Sequence, residues 1–181
     1  VCSDQEFNEQ VKHFSMFDQG VVYTPGDNEW TDCHRRSNGG YEPTERLAKL
    51  RQMFFRTGQS LGKHPITLTN QAQEQPAFSD YVENQRWVHN DVLFVTVHIV
   101  GSNNNFEVRD PRATQEFFER DAANIAWIRA AFEEAKLKNY KALVFAFQAD
   151  VLISRSMLED FPAWSGFRNS VGDTLLPLAH D

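Results

Sequence analysis

Val21-Val22-Tyr23-Thr24-Pro25-Gly26-Asp27-Asn28-Glu29-Trp30 is the stretch on which the reading of this chain turns. Val21, Val22 and Tyr23 favour a strand, Pro25-Gly26 ends it, and three polar side chains follow in a row. Open α/β sheets bind ligands beyond the carboxyl ends of their strands, so Asp27 and Asn28 stand where such a site is built. Asp27 offers a hard anionic oxygen and Asn28 an amide donor and acceptor, a pair that suits a divalent cation or a phosphate held beside one. The spacing leaves a second reading open, an Asx turn in which both side chains bond their own backbone.

Outward from this stretch the pattern alternates between helix and strand. Ser3 or Asp4 caps a first helix, Glu6 completes a capping box with Ser3, and Phe7, Val11 and Phe14 form an apolar face that extends to Met16–Phe17 before Gly20 ends it. Gly26 to Tyr41 reads as a polar loop. Pro43 opens a second helix with Leu47, Leu50, Met53 and Phe54 inside and Arg46, Lys49 and Arg51 outside, and residues 58–76 read as irregular. Val82 to His89 and Asp91 to Val100 are predicted strands, joined by a hairpin at Asn90-Asp91. The second runs into Gly101-Ser102-Asn103-Asn104-Asn105. A long helix is predicted from Pro111 to about Leu137, with Phe118, Ala122, Ile125, Ile128, Phe132 and Ala135 as its stripe. Ala142 to Phe147 is near-continuously apolar and predicts a buried strand that stops at Gln148-Ala149-Asp150. A last helix begins near Gly166 and runs on to Asp181. Three strands thus end in polar clusters, and two of them flank a crossover helix, which predicts one shared cleft at a sheet edge.

Composition narrows the field. A chain of 181 residues fits a single domain over residues 1–181, and a net charge of −7 gives no support to a nucleic-acid groove. The longest apolar run, Val92 to Val100, is interrupted by Thr96 and His98 and is strand-sized, so no membrane span is expected. The start lacks an initiator Met and the features of a signal peptide, and Leu175 to Asp181 breaks off within an apolar helical pattern; the chain reads as an internal piece of a longer protein. Cys2 and Cys33 are too few for a zinc site without further ligands, and a disulfide suits an exported protein better than a cytosolic one. His98 reads as a core or surface histidine, and Trp30, Trp87, Trp127 and Trp164 read as packing residues.

With these motifs in place, the chain resembles the calcineurin-like metallophosphoesterase superfamily, in a divergent branch. In that family a strand runs into Gly-Asn-His-Asp/Glu, and Gly26-Asp27-Asn28-Glu29 resembles this motif with Asp in the metal-ligand place and Asn in that of the catalytic His. The family's long helix carries a Trp-Leu pair and precedes an apolar strand ending in a metal-binding His; here Trp127-Ile128 and Gln148 occupy those places. The resemblance spans about residues 21–150. The family's Asp-x-His and Gly-Asp strands would precede Val1, and its closing Gly-His-x-His would follow Asp181.

The resemblance implies a layered metallophosphoesterase-like β-sandwich flanked by helices and incomplete at both ends. It implies divalent metal ions (Mn, Mg, or Fe/Zn) held by Asp27 and Gln148, Asn28 at the catalytic position, and a phosphorylated small molecule or other phosphoester as substrate. His34, Arg35 and Arg36 sit just beyond the motif, where they read either as substrate-binding groups, since Arg pairs bidentately with phosphate, or as solvated loop charges. The implied activity is hydrolysis by a metal-activated water. Asn28 cannot donate a proton as an acid near neutral pH, so a non-catalytic binding or interaction protein on the same fold is the alternative. In the family picture Cys2 and Cys33 stand above the same sheet edge, which implies that they pair, with export as the setting.

Overall fold

The computed structural model describes residues 2–55, 58–151 and 161–180. The architecture is mixed α/β. Its four-stranded sheet runs in the order β1 (Thr69–Asn70), β2 (Gln85–His89), β3 (Val92–Thr96), β4 (Ala142–Ala146). The β1–β2 and β2–β3 pairs are antiparallel and β3–β4 is parallel. A parallel pair needs a long crossover, and the helix Pro111–Lys138 supplies it. Asp110 caps that helix by accepting from the Arg112 and Ala113 amides, Pro111 sits where no N–H is needed, and Asn139 ends it in the left-handed region. Asn90 and Asp91 both take positive φ (51° and 62°), the geometry of a two-residue hairpin loop whose twist matches the strands.

The first face of the sheet packs Leu93, Val95, Trp127, Ile128, Ala131, Val171 and Leu175 into the main core. A second core holds α1 (Asp4–Ser15) against α2 (Pro43–Phe54) through Phe7, Leu50, Phe54 and Phe55. The Cys2–Cys33 disulfide is buried in this second core, with 5.8 Å between Cα atoms. No helix among the described residues is long and apolar enough to cross a membrane.

Several expectations need correction. Val21–Thr24 is not a sheet strand: only Val21 pairs, in an isolated antiparallel bridge with Leu61. The segment lies between α1, α2 and residues 58–68, away from the sheet, and Pro25 has no N–H to continue a ladder. The strand expected from Val82 begins at Gln85, and the one expected to reach Val100 ends at Thr96. β4 is half-covered rather than buried, its residues alternating in burial with Val144 exposed. Among the described residues only one face of β4 is covered by helix. On the long helix Phe117 is buried and Phe118 exposed, the reverse of the predicted stripe. α1 ends at Ser15, leaving Met16 and Phe17 exposed, and the Glu6 carboxylate accepts from Gln10 instead of closing the box with Ser3. Arg46, read as outside, is buried, as is Gln71, whereas Trp164, read as a packing residue, is 72% exposed. Residues 58–76 contain β1 and a short helix α3 (Gln71–Glu74), and the last helix starts as a wide π-type turn, Arg168–Leu175, before Leu176–His180.

A buried polar network links the layers. Glu83 is fully buried and receives two hydrogen bonds from Arg51 of α2, at 2.9 and 2.6 Å, and one from His98 Nδ1 at 2.8 Å. Burial pushes the Glu83 carboxyl up, but the Arg51 charge and the His98 hydrogen bond outweigh it and hold it well below the carboxylate range. At His98 burial wins: with Arg120 and Arg51 nearby, it lowers the pKa against the raising pull of Glu83. The sign of the pH dependence follows. Below the ordinary value of 6.5 the unfolded chain takes up a proton at this residue that the folded chain refuses, so the folded state loses ground as pH falls. The slope is up to about 1.4 kcal/mol per pH unit until the folded pKa is reached. Urea titrations at pH 7.5 and 5.5 should therefore show lower stability at the acid end, and His98→Gln should flatten that slope. A slope unchanged by His98→Gln would contradict this assignment.

Candidate functional site

β3 and β4 are parallel, so the chain beyond both leaves the sheet at one edge. Gln148 and Ala149 follow β4 and donate their amides to the Ile99 carbonyl, at 3.2 Å each. Gly101 follows β3, and its amide donates to Gln148 Oε1 at 2.8 Å. Asp27 reaches the same point from the other side: a side chain at Gly101 would collide with the Asp27 carboxylate, and one at Gly26 would meet Gln148 Cγ at 2.9 Å. Both glycines are there because two segments pass too closely for a Cβ. Asp27 and Gln148 thus converge on Gly101, beyond the carboxyl ends of β3 and β4.

Ser102 ties the site together. Its hydroxyl proton lies between Asp32 Oδ1 at 2.8 Å and Asp27 Oδ2 at 3.2 Å. Asp32 is buried, and its other oxygen pairs with Arg35 at 2.8 Å. Ser102, Asn103, Asn104 and Asn105 all take left-handed φ, between 50° and 59°. Such a run costs about 1–2 kcal/mol per residue for ordinary side chains and is tolerated best by Asn. The turn is held from beneath by Arg120, fully buried, which donates to Asn104 Oδ1 at 2.6 Å, to Asn104 O at 2.9 Å and to His98 O at 2.8 Å. Asn104 also donates to Gly166 O at 2.9 Å, and Asn103 accepts from Gly166 N at 2.8 Å. Trp30 fills the space under the Asp27 loop, with its ring 5.4 Å from that of His98 and 5.2 Å from the Arg120 guanidinium.

The polar loop expected over residues 26–41 is three short 3-10 turns, Asp27–Glu29, Thr31–His34 and Arg36–Asn38. Asn28 is exposed, beside Asp27, and its amide N–H bonds Asp27 Oδ1 at 3.1 Å. The Asp27 carboxylate thus bonds the adjacent backbone, and Asp27 reaches the sheet edge from a loop rather than from the end of a strand. His34 is exposed and its Nδ1 donates to the Thr31 carbonyl at 2.7 Å. Arg35 reaches the cluster only through Asp32, and Arg36 is exposed. Ser102 belongs to one of the three polar clusters read from the sequence, whereas Asp32 and Arg120 were missed by sequence reasoning and carry no local signal.

The fit to a metal is partial. Asp27 offers a carboxylate without a cationic partner among the described residues, and Gln148 a carbonyl oxygen already accepting from Gly101. No three His, Cys, Asp or Glu side chains among the described residues gather to hold an ion. A hard divalent cation takes about six oxygens, so this donor set is insufficient alone and supports no step through a metal. Compared with family models, with curated proteins and with solved structures, the chain matches none.

Proposed function

We propose that this chain carries one corner of a calcineurin-like phosphoesterase site, with Asp27 and Gln148 as oxygen donors toward a divalent cation and Asn28 as a hydrogen-bonding group toward a phosphate oxygen. The observation that supports this is the convergence of Asp27 and Gln148 on Gly101 beyond the parallel strands. The exposed apolar side of β4 is the surface that the second layer of a phosphoesterase sandwich would cover. Two oxygen donors are fewer than a hard cation takes, so this reading requires donors besides Asp27 and Gln148. The substrate would be a phosphorylated small molecule, with water as the attacking group.

A second reading is a binding protein on this fold. Gln148 Oε1 is already bonded to Gly101, and Asn28 supplies no acid for a leaving group.

Mn²⁺ titration by calorimetry, with hydrolysis of bis(p-nitrophenyl) phosphate alongside, tests both. This chain should bind Mn²⁺ weakly and turn over little substrate, and Asp27→Asn should weaken binding by about tenfold. Binding without turnover favours the second reading. Brisk Mn²⁺-dependent hydrolysis that survives Asp27→Asn would overturn the site.

A further inference from the structure

Beneath the Asp27 loop, between α1 and α2, lies a cavity of about 290 Å³. It sits at the lower end of the roughly 300–1,000 Å³ range of small-molecule pockets, so it has room for a small group only. Phe7, Phe14, Tyr23 and Phe54 line it, and Glu6 and Glu29 add two carboxylates. The four rings form a contacting set, with Tyr23–Phe54 centroids 5.0 Å apart, Phe14–Tyr23 5.4 Å and Phe14–Phe54 6.1 Å. Their planes are mutually tilted, by 71° for Phe14–Phe54 and 78° for Phe7–Phe54, so the lining combines ring faces with ring edges. Glu29 is half-buried and Glu6 partly so. Each accepts a hydrogen bond from a neutral donor: the Gly26 N–H donates to Glu29 at 2.7 Å and the Gln10 amide to Glu6 at 3.1 Å. Among the described residues no Lys, Arg or His side chain forms an ion pair with either carboxylate.

These features select by charge and by shape together. Two carboxylates repel a phosphate or carboxylate ligand. Two carboxylates set among aromatic rings give a bare metal ion fewer than the about six oxygens it takes in place of its water. A substituted ammonium meets both conditions, since its alkyl groups lie against the rings and its charge is attracted to the ring faces and the carboxylates. We propose that this cavity binds a small alkylated ammonium group of about the size of choline. Asn28, which also lines the cavity, is the residue it shares with the cluster around Gly101. The proposal stands on the cavity's own lining and does not require the phosphoester reading.

Calorimetric titration with choline chloride, against 3,3-dimethyl-1-butanol as the uncharged isostere, tests it at constant ionic strength. Choline should saturate, with the isostere about tenfold weaker or more. Glu29→Gln and Phe14→Leu should each weaken choline by about tenfold, whereas Tyr23→Phe, which keeps the ring, should not. Glu6→Gln is the second variant should Glu29→Gln disturb the Gly26 turn; it should weaken choline while leaving the melting curve in place. Co-sedimentation with phosphatidylcholine vesicles in preference to phosphatidylglycerol vesicles, together with choline saturation, supports the proposal with a lipid headgroup as the source. Saturation by choline without vesicle retention supports it with a free cation. Equal binding of choline and its isostere, absence of saturation, or Glu29→Gln, Glu6→Gln and Phe14→Leu all binding as the parent does would each overturn it.

Discussion

Arg51→Met is expected to cost about 3–5 kcal/mol of folding stability, the usual penalty for removing one partner of a buried ion pair. Arg51 and Glu83 form a two-pronged contact, at 2.6 and 2.9 Å, around a carboxylate that is fully buried. With the guanidinium gone, the His98 ring is the polar side-chain partner left to the Glu83 carboxylate among the described residues. The buried charge must then be neutralised by a proton. His98 is the nearest acceptor, and it also loses the Arg51 charge that helps to lower its pKa. Its titration, followed by the ring-proton chemical shift, should therefore move upward in the variant. The double replacement Arg51→Met with Glu83→Leu should recover much of the loss, because a buried pair exchanged for apolar groups is often neutral. Urea unfolding of the three proteins decides this. A single-variant loss below about 1 kcal/mol would show that water reaches Glu83 and that the network is a surface pair in its energetics.

This network explains why some of the fold was legible in the sequence and some was not. Elements fixed by local chemistry read correctly: the Asn90-Asp91 hairpin, the long helix from Pro111 to near Leu137, and the crossover between parallel strands. Elements fixed by burial against distant groups did not. The long helix turns Phe117, Arg120, Asp121 and Asn124 inward, because Arg120 and Asn124 donate to the His98 carbonyl and Arg120 also to Asn104, beyond β3. Hydrophobic periodicity follows apolar residues, and here the inward face is partly polar, so the predicted stripe holds at Ile128, Phe132 and Ala135 but is misphased at Phe118 and Ala122. Gln71 was equally opaque, since its burial rests on bonds to Asn84 and to the Ala123 carbonyl.

The site divides the same way. That Asp27, Ser102 and Gln148 sit at strand or turn ends is visible in sequence, because Pro, Gly and Asn mark where the chain leaves regular structure. That Asp27 belongs to no sheet strand is invisible there, since Val21-Val22-Tyr23 has the composition of a strand and only its packing denies it one. The left-handed turn at residues 102–105 was legible as a turn but not as a strained one. Its geometry depends on Arg120, and nothing adjacent to Arg120 in the chain announces that contact.

Removing the disulfide, by Cys2→Ala with Cys33→Ala or by reduction, is expected to lower stability by about 4 kcal/mol. The bridge spans 31 residues of sequence, and closing a loop of that size removes denatured-state entropy of this order. Both half-cystines are buried beside Phe7, Leu50 and Phe54, so α1, α2 and the loop carrying Asp27 meet at the bridge. Backbone bonds from the Cys2 amide to Asn38 O at 3.1 Å and from the Tyr41 amide to Cys33 O at 2.8 Å brace the same loop. Those bonds survive the substitution, so the loop should keep its native turns at low temperature. It should nevertheless exchange its amide protons faster over residues 27–41 than over the long helix, because that loop has few apolar anchors of its own beyond Trp30. Urea unfolding with and without reductant measures the first effect, and residue-resolved hydrogen exchange the second. A loss below about 1 kcal/mol would mean that the reduced, unfolded chain already holds these segments together. A loss near 4 kcal/mol makes the loop's order depend on oxidation, a condition that an exported protein meets and a reducing cytosol does not.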